Sequence, residues 1–334
     1  MSLFGLRRHA GPLALSEEGH LPGFEGATSW LNSPRLTTDD LRGKVVLVDF
    51  WTYTCINWLR TLGYVRAWAE KYEDHGLVVV GVHTPEFPLE REVENVRWAA
   101  ENMEVEYPIA LDSEYSIWDA FSNRYWPAVY IADAEGRIRH HQFGEGMYDE
   151  CERVIQQLLR EAGAEEVDDD LVAAAPDGFE AQADWTNLGS PETCLGYAQG
   201  QNLASPDATF DEPRTFAAPD SLRLNEWALS GDWTIESGAS VLNRADGKIA
   251  FRFRARHVHL VLRSREGTPV PFRVLVEGEP PGDAHGLDVD EDGHGTLVQP
   301  RLYQLIRERG AITDRTFDIS FQVPGVEAYV FTFG

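Results

Sequence analysis

Two periodicities divide this chain. Val45-Val46-Leu47-Val48-Asp49-Phe50 is a continuous apolar run with one acid near its end, the pattern of a strand buried in a parallel sheet. After a few turn residues, Leu59, Leu62, Val65, Ala69 and Tyr72 recur at helical spacing. They predict an amphipathic helix that stops near Asp74-His75-Gly76, where Gly76 suits the C′ position. Leu77 to Val82 predicts a second apolar strand, and Leu89 to Met103 a helix with Val93, Val96 and Ala100 on one face. Tyr107 to Leu111 reads as a short strand and Ser116 to Phe121 as a brief helix. Ala128 to Ile131 predicts a strand, and the turn Asp133-Ala134-Glu135-Gly136 returns the chain through Arg137 to Phe143 as a hairpin. Tyr148 to Ala162 closes the series as a helix with Val154, Leu158 and Leu159 inward. This order implies a mixed sheet with helices on both faces.

Past residue 165 the period changes to two. A charged, small-residue linker runs through Glu165-Glu166-Val167-Asp168-Asp169-Asp170 and on to Gly178. Lys248 to Arg254, His257 to Leu262, Phe272 to Val276, Thr316 to Phe321 and Ala328 to Phe333 then alternate between apolar and polar positions. Short strands separated by Gly, Pro and Asp turns predict an all-β sandwich of jelly-roll type. The expected organisation is a lead-in segment 1–35, an α/β domain 36–165, a linker 166–182 and a β-sandwich 183–334.

Composition adds limits to partners and compartment. A chain of 334 residues with 43% hydrophobic content is long enough for two ordinary cores. The net charge of −26, with lysine only at Lys44, Lys71 and Lys248, disfavours nucleic acid and anionic lipid as partners. The same surface suits a halophilic, salt-adapted source, and an Arg-for-Lys bias from a high-GC genome is the plainer alternative. No apolar stretch approaches the ~20 residues of a membrane span. Met1 to Leu15 carries Arg7 and Arg8 but lacks the apolar core of a signal peptide, so a cytoplasmic location is expected. Cys55, Cys151 and Cys194 are widely spaced and odd in number, which fits a reducing compartment better than a disulfide framework or a zinc site.

The chemistry concentrates at Cys55, where the strand at Val45 hands over to the helix that follows. A helix N-terminus stabilises a thiolate through its dipole and free amides, so a lowered pKa is expected there. Val48-Asp49-Phe50-Trp51, the run Trp51-Thr52-Tyr53-Thr54-Cys55-Ile56-Asn57 and the dipeptide Trp126-Pro127 together resemble the thioredoxin-like domain of TlpA-type and DipZ-type proteins. Similarity continues through Gly81 to Phe87 and Phe143 to Gly146, and into the second half of the chain. The resemblance implies a thioredoxin-like α/β domain followed by a β-sandwich similar to carbohydrate-binding modules. It also implies a thiol or disulfide substrate, protein or small molecule, and no required cofactor. It marks Cys55 as the nucleophile, supported by Asp49, Trp51, Thr54, Trp126 and a cis Pro127, and Trp58 is the candidate neighbour at the fourth position of the motif.

Two positions depart from that family. Its second active-site cysteine is replaced by Trp58, and Gly63 stands where proline is common. A dithiol cycle needs a resolving thiol. Trp58 cannot supply one, and Cys151 or Cys194 can only if the fold brings it to Cys55. Three readings follow. Cys55 performs monothiol exchange; or it is a one-cysteine peroxidase, with Thr52 and Cys55 at Thr-x-x-Cys spacing but Val48 where such motifs carry proline; or the domain is a non-catalytic scaffold.

The second half offers weaker candidates. Asp288, Asp290 and Asp292 precede Gly293 with the spacing of a calcium loop, although Gln299 replaces the final glutamate. Trp227 and Trp233 are candidates for stacking on a glycan, against a core role. His140-His141 and His257-x-His259 have metal-like proximity without convergent partners.

Overall fold

The computed structural model describes residues 13–174 and 177–334. Arg7 and Arg8 of the expected lead-in, and Ala175 and Pro176 of the expected linker, lie outside the described residues. The chain forms two compact units that do not follow the linear order: one holds residues 13–52, 61–85 and 97–174, the other 53–60, 86–96 and 177–334.

In the first unit the strands are β1 (Gly19–His20), β2 (Ser29–Leu31), β3 (Val45–Trp51), β4 (Leu77–His83), β5 (Ile109–Leu111), β6 (Ala128–Ala132) and β7 (Arg137–Phe143). They form one sheet in the order β1-β7-β6-β3-β4-β5-β2. The central strands β3, β4 and β5 run parallel, and β6 and β2 join them antiparallel. Every residue of β3 is buried, which is why it reads as an unbroken apolar run rather than an alternating one. Val46, Val48 and Phe50 share a core with Ile117, Trp118 and Phe121 from the short helix α3 (Ser116–Ala120) and the residue after it. The other helices are α1 (Ile56–Tyr72), α2 (Val93–Asn102) and α4 (Tyr148–Glu161). Gly76 has φ +97°, the left-handed geometry that favours glycine, and its carbonyl accepts from Val45 N–H at 3.1 Å.

One expected helix is broken. Leu89 to Met103 becomes a 3₁₀ turn, Pro88–Arg91, and then α2, with Glu92 extended between them at φ −79°, ψ 112°.

The second unit is all-β. Its strands are β8 (Thr193–Cys194), β9 (Arg214–Phe216), β10 (Trp227–Ile235), β11 (Ser240–Leu242), β12 (Gly247–Phe253), β13 (His257–Ser264), β14 (Val270–Val276), β15 (His294–Leu297), β16 (Arg301–Arg307), β17 (Arg315–Phe321) and β18 (Val326–Phe333). They pair antiparallel, in the order β15-β14-β17-β12-β10-β11-β18-β13-β16, with β8 on β18 and β9 on β10. β10 is the corner. Trp227 to Ser230 pairs with β12, Trp233 to Ile235 pairs with β11, and Gly231 between them has φ +96°. Ser230-Gly231-Asp232 looks like a turn in the sequence, which hides this strand from a period-2 reading.

Both candidate glycan platforms are corrected here. Trp227 and Trp233 are buried in the β core, their indole N–H groups donating to Gln201 O at 2.7 Å and Ser230 O at 2.8 Å. A stacking face would need an exposed ring. The calcium-loop acids do not converge either. Asp288 is held by the Arg301 guanidinium at 2.6 Å and accepts from Gln304 N–H, while Asp290 accepts from His294 N–H at 2.7 Å. Among the described residues no group of three His, Cys, Asp or Glu side chains could hold a metal ion, and His140-His141 and His257-x-His259 are no exception.

Candidate active site

β3 ends at Trp51, and Thr52 to Thr54 carry the buried chain to Cys55. The Cys55 carbonyl accepts from Leu59 N–H at 3.0 Å, which makes Cys55 the N-cap of the 17-residue helix α1. The N–H groups of Trp58 and Asn57 donate to its sulfur. A side chain at the N-cap thus accepts from the unpaired amides of the first turn, as Ser or Asp does elsewhere.

The expected lowering of the Cys55 pKa is not what the site produces. Burial pushes the thiol up, the Trp58 amide opposes that, and the carboxylates of Glu86 and Glu192 add to the rise. The burial penalty on a thiolate exceeds what two amides return. Glu86 is itself raised well above the usual carboxylate range by burial, then by Glu192 and Glu90. Burial also raises Glu192.

Thr54, next to Cys55, donates its hydroxyl to Glu90 Oε1 at 2.5 Å. The other oxygen of Glu90 accepts from Glu86 N–H at 2.6 Å and Phe87 N–H at 2.8 Å. Tyr53 adds a bond from its hydroxyl to Leu89 O at 3.3 Å. The loop before Cys55 is therefore tied to the segment 86–90. Trp58, at the fourth position of the motif, is completely buried. Two residues on, Arg60 is buried too and donates to Ala181 O at 3.3 Å and Phe333 O at 3.4 Å.

Asp49 and Trp51 sit in the sheet. Tyr107 donates its hydroxyl to Asp49 at 3.3 Å, and burial followed by the Asp49 charge keeps Tyr107 protonated. The Trp51 ring packs edge-on against His83, centroids 4.8 Å apart. The Trp126–Pro127 bond is cis, and Ala128 pairs with Phe50, so this bond lies level with the end of β3. Trp126 Nε1 donates to Thr84 O at 3.0 Å, and the Pro127 carbonyl accepts from Gly144 N–H at 2.8 Å. Sequence reasoning missed Glu90 and Glu192. Phe87-Pro88-Leu89-Glu90 carries the three-residue spacing by which a glutamate returns to the amides before a turn, so Glu90 was findable. Glu192 lies in irregular chain and shows no such signal.

Residues 20–141 match the AhpC/TSA family, and residues 190–334 match a family described as the thioredoxin like C-terminal domain. Over 142 residues the chain is 32% identical to the thiol-disulfide oxidoreductase YkuV of Bacillus subtilis, covering 95% of that protein and 42% of this chain. The chain belongs to the thioredoxin-like redoxin family. It is also 37% identical over 274 residues, 81% of its length, to the DipZ proteins of Mycobacterium bovis and Mycobacterium tuberculosis. It spans 38% of the length of those DipZ proteins. A solved thioredoxin-like protein in the oxidised form aligns at 31% identity with a TM-score of 0.40, over 43% of this chain and 96% of that one. Among the described residues of this redoxin no helix is long and apolar enough to cross a membrane.

Proposed function

We propose that this redoxin exchanges thiols and disulfides with Cys55 as its attacking sulfur. The observation that carries the reading is the N-cap position of Cys55, with two backbone amides of α1 aimed at its sulfur. Those amides stabilise the developing thiolate where Cys55 attacks a protein or small-molecule disulfide, or leaves one. The Cys-x-x-Trp site holds no second thiol, so the mixed disulfide on Cys55 is released by a thiol from elsewhere. Covering of the sulfur, together with Glu86 and Glu192, keeps the resting group protonated. Exchange therefore quickens as the pH rises.

That same covering favours a second reading, in which the thioredoxin-like domain is a scaffold. One experiment separates the two. The reduced protein is incubated with oxidised glutathione, quenched in acid and weighed intact, beside a Cys55→Ser control. A glutathione adduct, or a loss of two hydrogens, that disappears in the control supports exchange. Absence of both changes until the protein is unfolded supports the scaffold. A parallel incubation with hydrogen peroxide tests the peroxidase reading, which predicts a sulfenic acid on Cys55 and turnover of peroxide.

A further inference from the structure

Resting on thiol exchange at Cys55, we propose that Cys194 is its resolving cysteine, supplied by the β unit in place of the residue that Trp58 replaces. Cys55 and Cys194 belong to the same compact unit, which holds the active-site loop 53–60, the segment 86–96 and the strands from 177 onward. A continuous set of contacts links them. Thr54 binds Glu90, and Glu90 binds the amides of Glu86 and Phe87. The Phe87 ring packs on Tyr329 with centroids 5.4 Å apart. Tyr329 O accepts from Leu195 N–H at 2.8 Å, and Cys194 lies opposite Val330 in the β8–β18 pair.

The electrostatic surroundings agree with the contacts. The charges of Glu86 and Glu192 both act on the Cys55 sulfur, and the same two act on Cys194. Cys151 shares neither. It is buried in α4 of the other unit, with His140 Nε2 at 3.7 Å and Glu150 as its charged neighbour. Neither Cys55 nor Cys194 is in a disulfide, and both are only partly covered. The two-residue strand β8 has few ladder bonds to break if it shifts toward Cys55.

The step balances as an exchange. Cys55 attacks a substrate disulfide R–S–S–R, forming Cys55–S–S–R and releasing one R–SH. The Cys194 sulfur then attacks the Cys55 sulfur of that mixed disulfide. The bond to R breaks, the Cys55–Cys194 bond forms, and the proton from Cys194 goes to the departing thiolate as the second R–SH. The substrate disulfide is reduced and the two cysteines are oxidised. An external dithiol returns them to the reduced state.

The test uses the full chain, reduced and then exposed to oxidised glutathione, with acid quenching and non-reducing peptide mass mapping. Wild type and Cys151→Ser are expected to lose two hydrogens without retaining glutathione, and to yield a linked pair of peptides containing Cys55 and Cys194. Cys194→Ser and Cys194→Ala are expected to accumulate glutathione on Cys55. If wild type keeps glutathione on Cys55 as long as both Cys194 variants do, the resolving role is overturned while exchange at Cys55 stands. If no chain takes glutathione on Cys55 and no linked pair forms, both the exchange reading and the resolving role fall.

Discussion

Thr54 and Glu90 are joined across 36 positions of sequence by a buried hydrogen bond of 2.5 Å, hydroxyl to carboxylate. Since Glu90 also accepts two backbone amides, this one side chain holds the loop before Cys55 in a single conformation. Replacing it by Glu90→Ala strands two amides and a hydroxyl in a buried setting, a loss of roughly 2–4 kcal/mol. Glu90→Gln keeps one acceptor for the amides and is expected to lose less than half as much. Urea unfolding of both variants measures this, and equal losses for Ala and Gln would show that the carboxylate's acceptor geometry is not what matters.

Alkylation of Cys55 should have its half-point above the ~8.5 of a free thiol, because burial and the two carboxylates oppose ionisation. Glu192→Gln removes one of those charges without removing the cover, so it should move the half-point down. Iodoacetamide kinetics followed by intact mass report both. A wild-type half-point below the free-thiol value would contradict the charge arrangement around the sulfur.

Three buried histidines make the fold acid-sensitive before the carboxylates titrate. Burial pushes His83 down to about 3; it also lowers His257, to about 4 with help from Arg60, and it lowers His259 well below its ordinary value. Folded values below the unfolded ~6.5 mean that the unfolded chain binds the extra protons. The associated stability is complete above that pH and is lost as the pH falls toward the folded values. The expected slope is up to about 1.4 kcal/mol per pH unit for each histidine. Denaturant melts between about pH 7.5 and 5.5 test this. His259→Gln should flatten the slope by one histidine, and an unaltered slope would remove His259 from the account.

Restoring the family motif should carry a large structural cost. Trp58 is wholly buried, so Trp58→Cys leaves a cavity worth roughly 3–5 kcal/mol. The variant should nonetheless form a disulfide within the motif after oxidation, in place of a bond from Cys55 to Cys194. Thermal melts and peptide mapping of the oxidised variant check the two halves of this expectation separately.

Much of the architecture was legible because its signals are local. The unbroken run at β3, the helical spacing after Cys55, the Asp133 to Gly136 turn and the alternating strands β14 and β17 each depend on neighbours within a few residues. Several elements were not, among them the strands β1, β2, β8, β9, β11, β15 and β16. β10 is interrupted by a Ser-Gly-Asp triplet that makes sense only as a corner shared by several strands. The helix expected from Leu89 gave way to a 3₁₀ turn because Glu90 binds the amides before it rather than facing solvent.

The sequence alone determined the order of the main strands and helices from Val45 to Glu161, the place of Cys55 at a helix start and the lack of a cysteine at the position of Trp58. Each follows from residue identity and short-range spacing. Only the tertiary structure decided that Trp227 and Trp233 fill a core, that Asp288 pairs with Arg301 and not with two other acids, and that the Cys55 thiol is held protonated. Those outcomes turn on burial and on charges brought together from distant segments. Glu86 and Glu192 stand 106 positions apart in the numbering, and no local pattern could have placed both beside one sulfur.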